Sequence, residues 1–268
     1  MTGRLEGKVV LVTGASRGLG QYCAVGYGAE GATVVVAART ERSEQSRLPG
    51  TIHETARLVE AAGGEAFPVA CNVADRASVE RMVEGVLARY GRVDVLMNNA
   101  GVLVPGALSA LQARHWELQF AVNVSGTFFC TRALLPSMVE RRAGSIINIS
   151  SVAADRGGGS YGITKRAVED LTRQLAEEQR ANGIAVNALK PVGAIETPGM
   201  NFGAGGDIGE ERRRELPAKE GYVEAAVLLA RLTPDVCTGG VFNDEQALER
   251  FADPETRARI AAGARARR

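Results

Sequence analysis

The sequence predicts an α/β fold, a parallel sheet with helices on both faces. Three observations carry this. Short runs rich in Val and Ile recur along the chain, each too brief for a helix. Longer amphipathic stretches separate them, and a strand–helix–strand repeat makes successive strands parallel. No linker, low-complexity segment or internal repeat interrupts the alternation, so the 268 residues read as one domain. Each crossover is expected to be right-handed.

Taken in order, the expected strands are 8–13 (KVVLVT), 32–38 (ATVVVAA), 66–73 (AFPVACNV), 93–99 (VDVLMNN), 145–150 (SIINIS), 184–190 (IAVNALK) and 239–243 (GGVFN). Helices are expected over 18–30, 51–62, 76–90, 110–141, 160–182 and 219–232. Two regions break the rhythm. Residues 192–217, rich in Gly, Pro and Arg, read as a mobile loop with a short helix, placed to act as a lid. From Asp244 the chain reads as helix again and ends in ARARR, a solvated end rather than a nucleic-acid contact. The main domain is thus expected over 1–243, with a helical tail over 244–268.

Composition excludes several classes. An apolar fraction of 45% and a charged fraction of 24% are ordinary for a soluble globular protein. A net charge of +1 supplies no field to recruit nucleic acid or an anionic membrane. No apolar run has the length a membrane helix needs. The opening MTGRLEGKVVLVTG lacks the apolar core of a secretory signal. Cys23, Cys71, Cys130 and Cys237 lie far apart, and His53 and His115 complete no ligand cluster, so reduced thiols, no metal and a cytoplasmic setting are expected.

The first strand runs into TGASRGLG, with glycines at Gly14, Gly18 and Gly20, and then into a helix. A glycine turn lets the backbone approach a pyrophosphate, and the helix N-terminus offers free N–H groups and partial positive charge. Gly14, Ser16, Arg17, Gly18, Leu19 and Gly20 are therefore candidate dinucleotide contacts. An acidic residue at the end of the second strand would favour NAD(H), because it repels a 2′-phosphate. Ala38 and Arg39 occupy that end here, followed by Thr40. Arg17 adds a second guanidinium, and paired guanidiniums suit a phosphate, so NADP(H) is the expected cofactor.

Tyr161 and Lys165, in SYGITKRAV, stand one helical turn apart on one face. Such a pair is common on surface helices and says little alone. Its company changes that: NNAG at 98–101, NVSG at 123–126, NISS at 148–151 and VNALKPVGAIETP at 186–198. With TGASRGLG and YGITK, these motifs resemble the short-chain dehydrogenase/reductase family over residues 5 to 243.

The resemblance implies a Rossmann-type sheet of seven strands and an oxidoreductase that moves hydride between NADP(H) and a carbonyl or secondary alcohol. By position, Asn123, Ser151, Tyr161 and Lys165 match the family's catalytic residues. Asn72 and Val73 match the pair that cradles adenine, and Asn99, Ala100 and Gly101 the cofactor floor. Val192 to Thr197 match the segment by the nicotinamide amide, with Pro191, Gly193, Ile195 and Thr197 as contacts. Lys165 and Tyr161 would also meet the nicotinamide ribose. The family usually pairs subunits through its long fourth and fifth helices, here 110–141 and 160–182, which implies a homodimer or homotetramer.

The chemistry fits the residues. An unperturbed tyrosine titrates near ~10, and a nearby ammonium favours its phenolate, drawing it towards the working range of an acid–base catalyst. Ser151 would donate to the substrate oxygen, and Asn123 would hold a water between Lys165 and solvent. Ser150 stays open as the active serine, Asn123 as a buried, satisfied amide, and Asn72 and Asn98 as turn residues. The Tyr–Lys spacing differs from that of enoyl reductases of the superfamily, and the glycine turn from that of sugar-nucleotide epimerases. A silent NADP(H)-binding sensor and an NAD-linked alcohol dehydrogenase remain as alternatives.

Three departures from the pattern stand out. SVAADRGGGSY, from Ser151 to Tyr161, is short and carries three consecutive glycines. Val192 separates the usual Pro–Gly pair, and Asn72 stands where Asp is more common. Leu103, Val104 and Leu108 could wall a pocket or lie in the core. Arg156 could meet an acidic substrate or only solvent.

Overall fold

The computed structural model of the chain describes residues 3–203 and 208–265. Residues 204–207 of the expected lid and 266–268 of the tail lie outside the described residues.

The first half alternates β1 (Val9–Thr13), α1 (Gly18–Ala29), β2 (Thr33–Ala38), α2 (Ile52–Ala61), β3 (Glu65–Ala70), α3 (Arg76–Tyr90) and β4 (Val95–Asn98). The second continues with α4 (Ala113–Phe120), α5 (Gly126–Arg141), β5 (Gly144–Ile149), α6 (Gly159–Gln179) and β6 (Ile184–Lys190). After β6 come α7 (Pro198–Gly203), α8 (Glu210–Glu215), α9 (Lys219–Ala230), β7 (Val241–Asn243), α10 (Asp244–Phe251) and α11 (Pro254–Arg265). The seven strands form one parallel sheet in the order β3-β2-β1-β4-β5-β6-β7.

Helices cover both faces, which is why the strands read as continuous apolar runs. Side chains alternate across the sheet. Val10, Val12, Val34, Val36 and Ile147 join Tyr27 and Tyr222 in one core layer. Leu11, Val35, Leu96 and Ile146 join Leu134 and Met138 in the other. The order reverses between β1 and β4, so a crevice opens at their carboxyl ends, where sheets of this kind take ligands.

Four elements differ from the sequence reading. The strand expected over 66–73 ends at Ala70, because its partner β2 ends at Ala38 and Asn72 then folds an Asx turn, accepting the Ala74 amide at 3.3 Å. The helix expected over 110–141 is broken by a π turn at Ala121–Ser125. There the Asn123 side chain bonds outside its own helix, to Val102 and Thr164. Residues 192–217 contain two short helices, α7 and α8, in place of one. Beyond Asn243 the chain does not start as a free end: α10 packs on α9, Ala247 is buried, and Phe251 meets Phe242 edge-on at 5.4 Å. Arg259 of α11 pairs with Glu224 of α9 at 3.1 Å, and Arg4 joins Glu224 to Glu30.

Candidate active site

The glycine turn after β1 is pressed against the end of β4. Gly14 has φ +65°, and a Cβ there would stand 2.7 Å from Ala100 Cα, so a larger residue meets both strain and a clash. A Cβ on Gly20 would stand 2.3 Å from Asn99 Nδ2. That amide nitrogen donates to the carbonyls of Thr13 at 2.9 Å and Gly14 at 3.1 Å. Thr13 Oγ1 in turn accepts the Asn99 and Ala100 amides, each at 3.1 Å. Thr13 was not among the expected site residues, although a hydroxyl at a strand end beside a glycine turn is a readable signal. Ser16 is buried and Leu19 packs on the core. The turn thus presents its backbone to the crevice, a cradle of the kind a dinucleotide pyrophosphate needs.

Arg17 and Arg39 come close enough for Arg39 to act on Arg17. Burial first, and the Arg39 charge second, lower the Arg17 pKa, while Glu54 acts the other way. Most of the Arg17 guanidinium is already engaged. Nε donates to Pro49 O at 2.7 Å, and Nη2 faces Gly50 O at 2.9 Å, Leu48 O at 3.2 Å and Thr40 Oγ1 at 3.3 Å. Arg17 therefore holds the β2–α2 loop, which the sequence did not disclose. Arg39 is exposed and has no ion-pair partner among the described residues. Val73 is buried, whereas Asn72 is exposed and engaged in its Asx turn.

On the substrate side, Asn123, Ser151, Tyr161 and Lys165 arrive from separate elements. A Cβ on Gly101 would lie 3.5 Å from both Asn123 Oδ1 and Lys165 Nζ, so these three meet at one point. Lys165 is 3% exposed, donates to Ile149 O at 2.7 Å and stands 5.5 Å from the Tyr161 ring centroid. Burial pushes its pKa down to about 8. Contrary to the expectation from sequence, the Tyr161 pKa is not drawn down: burial raises it, and a side-chain hydrogen bond with Ser151, not the Lys165 charge, opposes that rise. Ser151 Oγ accepts the Ala153 amide at 3.2 Å, so its own hydroxyl is the donor in the bond with Tyr161. Ser150 points elsewhere: it is buried and donates to Glu169 Oε1 at 2.6 Å. The Asn123 carboxamide is fully occupied, with Oδ1 accepting Val102 N at 2.8 Å and Nδ2 donating to Val102 O and Thr164 Oγ1. π turns of this sort often mark functional sites. Asn98 is not a turn residue but a buried strand amide, bonded to Thr131 and Asn148.

The segment after β6 folds over the glycine turn. Thr197 Cγ2 lies 3.3 Å from the position of a Gly18 Cβ, and Tyr22 Oη donates to Glu196 O at 3.2 Å. Thr197 Oγ1 caps α7 by accepting the Met200 amide, and Ile195 is buried in the core. The inserted Val192 is held by its amide, which donates to the buried Asp244 at 2.5 Å. Pro191 and Gly193 are half-buried beside it. Leu103 and Leu108 are 59% and 51% exposed, so they are not core residues. Arg156 is exposed.

A glycine cradle at the switch point of a seven-stranded parallel sheet is the mark of a dinucleotide-binding protein of the Rossmann class. A family model described as short chain dehydrogenase matches residues 8–202, and the chain belongs to that family of nicotinamide-dependent oxidoreductases. The chain is similar to the 3-oxoacyl-(acyl-carrier-protein) reductase of Thermotoga maritima, 36% identical over 198 residues, covering 73% of this chain and 77% of that protein. It is 33% identical over 227 residues to the hydroxysteroid dehydrogenase-like protein 2 of Danio rerio. That match covers 82% of this chain and 54% of the relative, so the chain spans about half that protein's length. A solved short chain dehydrogenase from Mycobacterium thermoresistibile matches with a TM-score of 0.82 at 28% identity, over 91% of this chain and 87% of that one. Among the described residues, no helix is long and apolar enough to cross a membrane.

Proposed function

We propose that the protein reduces a ketone to a secondary alcohol with NADPH, and that Tyr161 delivers the proton. The observation that carries this reading is the placement of the Tyr161 phenol beside Ser151 and the buried Lys165 ammonium, 5.5 Å from its ring centroid. Burial raises its pKa, so it keeps its proton through neutral pH. Carbonyl reduction consumes a proton on oxygen, whereas alcohol oxidation would need the phenolate first.

The residues fit a nicotinamide dinucleotide. The amides of the Gly14–Gly20 turn would hold its pyrophosphate, Asn72 and Val73 its adenine, Asn99 to Gly101 its floor, and Pro191 to Thr197 its amide. Arg39, exposed and without an ion-pair partner among the described residues, supports a 2′-phosphate. When bound, the cofactor supplies the hydride. Ser151 donates a hydrogen bond to the substrate oxygen and stabilises charge developing there. Tyr161 releases its proton to the same oxygen. The Lys165 ammonium, 5.5 Å from the ring centroid, favours the phenolate left behind. Asn123 clamps Val102 to Thr164 and so holds Gly101 and α6 around Lys165.

A ketone substrate is also supported by the names of the two relatives, a 3-oxoacyl reductase and a hydroxysteroid dehydrogenase-like protein. Exposed Trp116 on α4, Phe128 on α5 and Ile163 on α6 support a homodimer or homotetramer paired through the expected helices 110–141 and 160–182. Four unbridged, buried cysteines agree with a reducing, cytoplasmic setting. The test is oxidation of NADPH and NADH, followed by absorbance, across ketones, diketones, quinones and 3-oxoacyl thioesters. Turnover is expected with NADPH on at least one ketone class. Tight NADPH binding with no turnover on any would contradict the reading and favour a binding protein.

A further inference from the structure

Behind Ser151 lies an ion network that the mechanism above does not use. Lys190, the last residue of β6, is only 9% exposed. Its Nζ donates to both Asp155 oxygens, at 2.8 and 2.7 Å, and to Glu169 Oε1 at 3.3 Å. Glu169 stands on α6 one turn beyond Lys165, and the same Oε1 accepts the Ser150 hydroxyl. One ammonium therefore joins the turn that carries Ser151, the helix that carries Tyr161 and Lys165, and the strand that runs into Pro191.

The stretch from Ser150 to Asp155 is pinned at both ends. Ser150 is fixed by its amide on Leu189 O at 2.9 Å and by its hydroxyl on Glu169. Asp155 is fixed by Lys190, and between them Ala154 O accepts the Arg166 guanidinium. Ser151 sits inside this span, with its Oγ turned by the Ala153 amide. Beyond Asp155 the chain is exposed at Arg156, Gly157 and Gly158, and backbone bonds turn it back, Arg156 N to Val152 O at 3.2 Å and Gly158 N to Ala153 O at 3.1 Å. Glycine there is obligatory: a Cβ on Gly158 would stand 2.5 Å from Ala153 Cβ, and one on Gly162 2.5 Å from Ala153 O. The close approach of α6 thus requires residues that lose the most entropy on ordering. The Lys190–Asp155 anchor just ahead of them adds a side-chain restraint to those backbone bonds.

We propose that Lys190 is a positioning residue which, by gripping Asp155 against Glu169, fixes the direction in which Ser151 donates to the substrate oxygen. This rests on the roles given above to Ser151 and Tyr161. The anchor adds little stability, because the Asp155 side chain is 53% exposed and such pairs are weak. Its effect is on geometry, to which catalysis is far more sensitive.

The variant that tests it is Asp155→Ala, which leaves Lys190 and Glu169 paired. Ketone reduction with NADPH is expected to lose kcat by roughly tenfold or more. The KM for NADPH and the melting temperature should hold, and Asp155→Glu should recover most of the rate. Amide exchange at Ala153 and Ala154, measured without substrate, should quicken in Asp155→Ala. Unchanged kcat, or unchanged exchange at both amides, overturns the proposal. So does a loss of kcat matched by a loss of melting temperature, which would make the pair merely structural. Failure of the underlying reading looks different: wild type reduces no carbonyl, or Tyr161→Phe keeps its turnover. Ser151 then has no role to be positioned for and the proposal falls with it, even if exchange shows Asp155 holding the turn.

Discussion

Lys165 holds its ammonium over the face of Tyr161, 5.5 Å from the ring centroid, while donating to the Ile149 carbonyl at 2.7 Å. The lysine is thus held beside the phenol by the end of β5. Burial brings its pKa down to about 8. The ammonium is present below that value and lost as pH rises through it. The kcat/KM for ketone reduction should therefore fall above about pH 8 in a profile taken at saturating NADPH. A profile flat to pH 10 would remove Lys165 from the proton chemistry.

The same burial has a stability consequence. An unfolded lysine titrates near ~10.4. Between about 8 and that value, the unfolded chain binds a proton that the folded chain has shed. Stability attributable to Lys165 therefore rises with pH across this window. The gain is on the order of 3 kcal/mol, at about 1.4 kcal/mol per unit. Denaturant unfolding of the cofactor-free protein and of Lys165→Met should show wild type gaining on the variant by about 2 kcal/mol of this from pH 8 to 10. A constant difference would contradict the buried, uncompensated ammonium.

Arg39 and Arg17 should separate in cofactor binding. Arg39→Asp should weaken NADPH binding roughly tenfold to a hundredfold, the worth of a charge-assisted hydrogen bond, and NADH binding far less. Arg17→Ala removes the support for Leu48, Pro49 and Gly50. It should weaken both cofactors and lower the melting temperature. Equal effects of Arg39→Asp on both cofactors, by titration calorimetry, would sink the 2′-phosphate assignment.

The two serines offer another separation. Ser151→Ala should lower kcat roughly a hundredfold with the melting temperature kept, as loss of one donor at a developing oxyanion does. Ser150→Ala leaves Glu169 short of a buried partner. It should destabilise by about 1–3 kcal/mol with a smaller effect on kcat. A reversed pattern in paired melting and rate measurements would exchange their roles.

The inner strands were legible because they are buried on both faces, so runs such as Val9–Thr13 and Thr33–Ala38 carry a near-continuous apolar signal, whereas Glu65–Ala70 at the sheet edge has no buried residue. The glycine turn was legible because Gly14 and Gly18 take positive φ, which few other residues allow. What escaped depended on partners distant in sequence. Nothing local in 110–141 announces the π turn, whose cause is the grip of Asn123 on Val102 and Thr164. Arg17 was read as a phosphate ligand, and its bonds to residues 48–50, which lie 31 to 33 positions away in sequence, went unread. The same holds for Lys190, whose carboxylate partners come from a loop and a helix that only the fold brings together.

The most direct measurement compares wild type with Tyr161→Phe, reading the NADPH dissociation constant and single-turnover ketone reduction on the same preparations. The account predicts that the variant binds NADPH within a few-fold of wild type, since one hydroxyl is lost, and that turnover falls by roughly a hundredfold to ten-thousandfold, the usual contribution of a positioned acid. Turnover kept in the variant would contradict Tyr161 as the proton donor and with it the reading of the whole site.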